Sequence, residues 1–275
     1  MIEIPEAVTF VRQLVESLEG KRVDDIVAGA SPHKFAWYYG DPERYPDIIL
    51  GKTFQSACAV GGMVEASADD VRLLFSEGAN LRFLPAGSTP PKKHQLLVTF
   101  SDGSMLAASV QMYGGVGVFP EGALDNEYYL AAQQKPSPVS REFDKQYFHG
   151  LISNPHVEKL SAKALLATEQ RIPGLGNGVL QDILFKARVH PKRKIRELDE
   201  DSRSRLFSAV KEVLHEMADG GGRDTETDLF GNPGGYTTLM SRNTVGNPCG
   251  SCGTVIVKKA YMGGSVYFCP GCQPE

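Results

Sequence analysis

Four of the five cysteines in this 275-residue chain crowd into its last 27 residues. They form two C-x2-C pairs, Cys249/Cys252 and Cys269/Cys272, with sixteen residues between them. Each pair presents two thiolates, and a hairpin between the pairs closes a tetrahedron, the donor set of one structural zinc ion. With all four ligands supplied by protein sulfur, no position is left for water or substrate. The ion would fold a hairpin too small to hold itself together. The other end of the chain, MIEIPEAVTF, places Glu3, Pro5 and Glu6 close to the amino terminus. These residues suit a plain helix start. They equally suit a catalytic terminus, because the α-amine of Met1 is a nucleophile and carboxylates beside it can move protons.

A third group lies in IPGLGNGVLQDILFKARVHPKRKIR, residues 172–196. A glycine-rich approach to a helix start exposes backbone N–H groups that bind phosphate, and Asn177, next to Gly176, adds a side-chain amide. The stretch is not a dinucleotide fingerprint, since Val179 occupies the third glycine position and no strand precedes it. Downstream, Lys186, Arg188, Lys192, Arg193, Lys194 and Arg196 supply six positive charges with no acidic residue among them. A solvated helix end accounts for part of that run and a phosphate-contacting face accounts for all of it.

Secondary-structure signals organise these groups into an α+β, multidomain chain. Val8, Val11, Leu14, Val15 and Leu18 recur at helical spacing, with Pro5 in the first turn and Gly20 as a stop. From about 23 to 120 short alternating runs predominate, with SDGS at 101–104 as a hairpin turn and GDPERYP at 40–46 as a loop. This half reads as a two-layer β-sandwich. QQKPSPVS marks a polar linker. Helices follow over FDKQYFHGLI, over SAKALLATEQ with Ser161 as N-cap, over GVLQDILFKA, and from Asp199 to Ala218. The expected divisions are 1–125 (first helix and sandwich), 126–142 (linker), 143–222 (helical), 223–245 (glycine-rich loop) and 246–275 (cysteine hairpin).

Composition narrows the class. Hydrophobic residues make up 41% and charged residues 23%, the proportions of an ordinary globular protein. A net charge of −4 argues against a broadly basic nucleic-acid binder, although a whole-chain average hides the local cluster at 186–196. No run of eighteen apolar residues suggests a membrane span, and the first thirty residues lack a signal core. The expectation is a cytoplasmic, nucleoid-associated monomer with no membrane partner. The fifth cysteine, Cys58, reads as a small buried apolar residue.

The order of these motifs resembles the formamidopyrimidine-DNA glycosylase / endonuclease VIII (Fpg/Nei) family along nearly the whole chain. The order is MxExPE, a β half, helix–GLGN–helix with ILF-A-x-x-HP, a glycine-rich loop and a four-cysteine ribbon. The match is tight over 161–196 and 246–273 and loose over 23–120. The resemblance implies an N-terminal β-sandwich, a helix–two-turns–helix domain and a C-terminal zinc-finger β-hairpin. It implies a DNA glycosylase with AP lyase activity, acting on damaged bases or abasic sites in DNA. In the family, the amine of an N-terminal proline attacks C1′ of a flipped-out nucleotide and the resulting Schiff base permits strand cleavage. The matching residues are Glu3 for proton transfer, Glu6 on the first helix, and Lys52 in ILGKTF for phosphate and sugar chemistry. Lys163 and Asn177 match DNA contacts, and Asp182 matches a carboxylate on the following helix, where a plain surface charge is the other reading. Lesion choice would lie in a loop at about 220–238.

Three departures set this chain apart from the family. Ile2 stands where the family has proline, so that Met1 is retained and its amine sits one residue further out. VQMYGGV replaces the strand expected to carry an arginine and a phenylalanine, leaving Tyr113 to stack into the gap of a flipped base. Gly264 replaces the arginine expected five residues before the third cysteine. The alternative function is therefore a non-catalytic or monofunctional paralogue that binds abasic or damaged DNA. A weaker option, suggested by the acidic pI alone, is a scaffold that does not bind DNA.

Overall fold

A computed structural model describes residues 1–76 and 78–275. Two compact units result: Met1–Leu130 with Glu226–Pro233, and Ala131–Thr225 with Gly234–Glu275.

In the first unit, helix α1 spans Ile4–Leu18 and ends at Gly20, whose φ of +78° is the left-handed conformation glycine takes freely. Its buried face runs through Ala7, Phe10, Leu14 and Leu18. This face is rotated from the valine-based stripe expected from sequence, because Val8, Val11 and Val15 are only half-buried. Nine strands follow in chain order: β1 Val23–Ala28, β2 Ala36–Tyr39, β3 Phe54–Val60, β4 Met63–Ala68, β5 Val71–Phe75, β6 Ala79–Leu84, β7 Leu96–Phe100, β8 Met105–Val110 and β9 Gly114–Pro120. They build a four-stranded sheet, β1-β7-β8-β6, and a five-stranded sheet, β2-β9-β5-β4-β3. All pairings are antiparallel except β2 with β9. One apolar core joins the two sheets to α1, taking Val98 and Leu106 from the first sheet, Val64, Leu73 and Val116 from the second, and Phe10 and Leu14 from the helix. The chain turns between β7 and β8 at Gly103, with Asp102 accepting the N–H of Ser104 at 2.9 Å.

Three local expectations are corrected here. GDPERYP is not a plain loop: a 3-10 turn at Pro42–Arg44 leads into helix α2, Tyr45–Ile49, and Tyr45 is fully buried. The linker at 126–142 is partly helical, since α3 covers Glu127–Gln134 and the Tyr129 hydroxyl donates to buried Glu65 at 2.5 Å. Cys58 is exposed, because β3 is an edge strand with much of its length open to solvent.

The second unit carries α4 Lys145–Ile152, α5 Ala162–Ala167, α6 Leu180–Ala187, α7 Glu200–Asp219, and the hairpin β10 Val257–Tyr261 with β11 Gly264–Phe268. Ser161 caps α5 by accepting the N–H of Ala164, and Asp199 caps α7 through Ser202. Leu180, Ile183 and Leu184 of α6 and Val210, Val213 and Leu214 of α7 are buried where the two helices pack. No described helix is long and apolar enough to cross a membrane.

Candidate functional site

The residues ahead of α1 are anchored by the sandwich core. Ile2 is 2% exposed and belongs to that core, so its place in the site is that of an anchor. Met1 beyond it is exposed, and its α-ammonium is ion-paired with the carboxylate of Glu226. Glu3 and Glu6 are both buried, and the Glu3 N–H donates to Glu6 Oε2 at 3.2 Å, which makes Glu6 a helix-start partner. Glu3 is thus a buried carboxylate two residues from a primary amine. The Tyr113 hydroxyl lies 3.8 Å from Met1 Sδ. Lys52 points elsewhere: its Nζ is 2.5 Å from Asp70 Oδ1, tying the turn before β3 to the β4–β5 hairpin.

Glu226 belongs to an eight-residue segment that folds against the sandwich. Leu229 is completely buried in the core. Gln13 of α1 donates to Asp228 Oδ2 at 3.0 Å and accepts the N–H of Leu229 at 2.9 Å. Arg82 of β6 donates to Asp228 O at 2.7 Å. These contacts fix the backbone that carries Glu226. Sequence reasoning missed this residue, because its partner is 225 positions away and no local signal links the two.

The second unit assembles a different group. The turn into α6 and helix α5 meet the cysteine hairpin through polar contacts. Lys163, 3% exposed, donates to Tyr261 O at 2.6 Å, and burial lowers its pKa. Asn177 Nδ2 donates to Ser265 O at 3.0 Å, and Gln181 links the same oxygen and the N–H of Tyr267. Asn177 Oδ1 is buried and has no hydrogen-bond partner among the described residues. Gly176 lies in the same turn, its carbonyl accepting the N–H of Leu180. A Cβ at Gly264 would stand 3.4 Å from Lys163 Nζ and 3.5 Å from Asn177 Nδ2, in ordinary contact distance of both. Lys192 and Arg193 turn toward the chain end, Lys192 Nζ lying 3.6 Å from Glu275 and Arg193 donating to Pro274 O at 3.2 Å.

Asp182 is no surface charge. It is 1% exposed and accepts the N–H groups of Leu239 and Met240 at 2.8 and 2.7 Å, tying α6 to the segment before the hairpin. Burial raises its pKa, against the opposing pull of those two N–H groups. His190 is likewise buried, edge-on to Phe268, with Nδ1 facing the Lys192 N–H at 3.3 Å.

The sulfur atoms of Cys249, Cys252, Cys269 and Cys272 all lie within 4.8 Å of one another. All four are free thiols, with Cys252–Cys269 at 3.3 Å and Cys249–Cys272 at 3.9 Å, far beyond disulfide length. A tetrahedral ion with metal–sulfur bonds of about 2.3 Å sets sulfur–sulfur edges of about 3.8 Å, a value that the separations in this cluster bracket.

Comparison with known proteins places these groups in context. The family model of the formamidopyrimidine-DNA glycosylase H2TH domain matches residues 135–228. The formamidopyrimidine-DNA glycosylase of Bacillus cereus is 27% identical over 283 residues, covering 100% of both chains. That of Geobacter sulfurreducens is 28% identical over 285 residues, covering 99% of this chain and 100% of its own. The Lactococcus lactis Fpg, solved in complex with DNA containing an abasic site, superposes with a TM-score of 0.85 at 25% identity, covering 99% of this chain and 100% of that one. Residues 135–228 thus match the H2TH domain of formamidopyrimidine-DNA glycosylases, and the chain is similar to such enzymes over its whole length. Its sandwich, H2TH helices and cysteine hairpin match the fold of that solved Fpg.

Proposed function

We propose that this protein is an Fpg/Nei DNA glycosylase with AP lyase activity, acting on damaged bases or abasic sites in DNA. The observation that carries the reading is the Met1 α-amine held beside one carboxylate, Glu226, and two residues from a second, buried one, Glu3, on a full-length family fold. An ammonium is not a nucleophile. Glu226 takes its proton, and the freed amine adds to C1′ of an abasic deoxyribose. Glu3 carries the proton that opens the sugar ring at O4′. Loss of water gives the imine, and removal of a C2′ proton then expels the 3′ phosphate. On a damaged nucleotide the same addition at C1′ releases the base. Residues 1–125 carry this reaction with Glu226 reaching in from 223–245, while 143–222 and 246–275, joined through 126–142, hold DNA phosphates. The metal of the four-cysteine cluster is zinc, and when bound it supplies a fixed fold for the hairpin and no reaction step.

Borohydride trapping on duplex DNA with an abasic site tests the reading. A covalent adduct mapping to the N-terminal peptide is expected, and Glu226→Gln is expected to slow its formation about tenfold. A second reading, a non-catalytic DNA-binding paralogue, draws on Gly264 and on Ile2 in place of proline. Tight binding with no adduct would remove the lyase mechanism and leave that paralogue or a monofunctional glycosylase.

Phosphate contact has its own test. Gly264 has no left-handed φ and room for a Cβ, so Gly264→Arg is sterically allowed beside Lys163 and Asn177. The variant is expected to bind DNA more tightly, with a salt dependence steeper by about 0.9 in log–log slope for one added phosphate contact. An unchanged slope in a salt titration would place the phosphates elsewhere.

A further inference from the structure

Helix α1 carries a polar residue in its middle to which the chemistry above gives no part. Gln13 lies seven residues beyond Glu6, about two helical turns, so both stand on one face of the helix. Its amide serves two groups of a single distant segment. Nε2 donates to Asp228 Oδ2 at 3.0 Å, and Oε1 accepts the N–H of Leu229 at 2.9 Å. A carboxamide donates and accepts at once, which a carboxylate, an ammonium or an alkyl chain of similar length does not. The segment that Gln13 holds is stiff in itself. Asp228 Oδ1 accepts the N–H groups of Phe230 and Asn232 at 3.0 and 2.7 Å, and the Asp228 N–H donates to Asn232 O at 2.8 Å. Gly231 closes the turn with a φ of +95°, and a Cβ there would come 3.0 Å from the Arg82 Cζ, so glycine is required on both counts. Phe83 N donates to Leu229 O at 3.0 Å, which ties the segment to the edge of β6.

Asp228 carries this turn and not a proton. Burial raises its pKa, but the hydrogen bonds from Gln13, Asn232 and Phe230 outweigh that and leave the carboxyl below its ordinary value, ionised at neutral pH. Glu226 stands two residues earlier, and its carboxylate meets the Met1 ammonium from a backbone that Gln13 ties to α1. The helix therefore holds both sides of the pair. Its start follows directly on the residues that bear the amine, and its middle grips the chain that bears the carboxylate. We propose that Gln13 is a positioning residue, which sets Glu226 against the terminal amine by fixing Asp228 and Leu229 on α1. The inference rests on the reading that this amine is the nucleophile and Glu226 its proton acceptor. It adds the residue outside the pair that governs the pair's geometry.

Gln13→Met keeps the length of the side chain and loses both hydrogen bonds, whereas Gln13→Glu keeps an acceptor for the Leu229 N–H and sets a second carboxylate against Asp228. The full-length protein would be used at saturating concentration on duplex DNA with an abasic site, and the single-turnover rate of the borohydride-trapped adduct measured. Affinity for a duplex containing a tetrahydrofuran abasic analogue would be measured beside it. Gln13→Met is expected to slow the adduct about fivefold and Gln13→Glu to slow it further, with affinity changed by less than about twofold. The deciding readout is the combination with Glu226→Gln. A residue that acts through Glu226 has nothing left to position once that carboxylate is gone, so Gln13→Met should cost no further rate in the Glu226→Gln chain. An equal loss in both backgrounds, a loss of affinity in step with rate, or a native rate in Gln13→Met overturns the proposal and leaves the function standing. No adduct from the native chain would bring down the reading of the site and the proposal with it. Asp228→Asn removes the carboxylate from the other side of the contact. It gives the same cycle with Glu226→Gln where Gln13→Met does not fold, and an additive loss there overturns the proposal equally.

Discussion

Replacing Glu3 with glutamine is expected to lower the rate of strand cleavage at an abasic site by about a hundredfold to ten-thousandfold, the usual contribution of a positioned acid–base group. Affinity for the tetrahydrofuran duplex should change by less than about threefold. The separation follows from where Glu3 lies. It precedes α1, is 4% exposed, and its carbonyl accepts the N–H of Ala7 at 2.9 Å, a backbone bond that the substitution leaves in place. Glutamine keeps the volume and an acceptor oxygen and loses the negative charge, and with it the ability to carry a proton. Single-turnover cleavage and equilibrium binding, measured on the same preparation, check this. Equal losses in both would make Glu3 a structural residue and move the proton transfer to another group.

Stripping the metal from the four-cysteine cluster should have a comparably large effect on binding. The hairpin's own apolar cluster is small, with Met240, Cys249, Ile256 and Cys269 as its buried members, two of them from the four-cysteine cluster. Four cysteines closed on one ion supply what such a core cannot. Without the ion, β10 and β11 are expected to unfold, and the carbonyls of Tyr261 and Ser265 then no longer hold Lys163 and Asn177. DNA affinity should fall at least about a hundredfold and return on adding one equivalent of zinc. Metal release and binding would be followed together during chelation, with Cys269→Ser as the genetic counterpart. Full affinity after complete metal loss would mean that the hairpin folds unaided or plays no part in binding.

Much of this protein is legible in its amino-acid residues alone. The cysteine spacing defines a closed four-sulfur cluster, because ligand geometry depends on short local separations. Ser161 and Asp199 cap their helices as small polar residues before apolar runs do, and Gly20 and the 101–104 turn stop their elements for local backbone reasons. The features that local pattern misplaces share one cause. The buried stripe of α1 is set by the sheets it packs on, so Phe10 is inside and Val8 only half-buried. Tyr45 draws its segment into a helix by burying its ring and donating to Tyr39 O at 2.6 Å. Asp182 reads as a surface charge in the sequence because its partners, the N–H groups of Leu239 and Met240, lie more than fifty positions away.

Residue type and near spacing are enough to read the motif order, a four-cysteine cluster suited to a metal ion, and an amine with two carboxylates at one end of the chain. Folding in three dimensions adds that Glu226 pairs with Met1 and that Ile2 anchors the terminus. It adds that Lys163 and Asn177 hold the hairpin, and that Gln13 holds the segment bearing Glu226. Each of those depends on packing between distant segments, where burial and hydrogen bonding, summed over the whole core, choose the neighbour and local pattern does not.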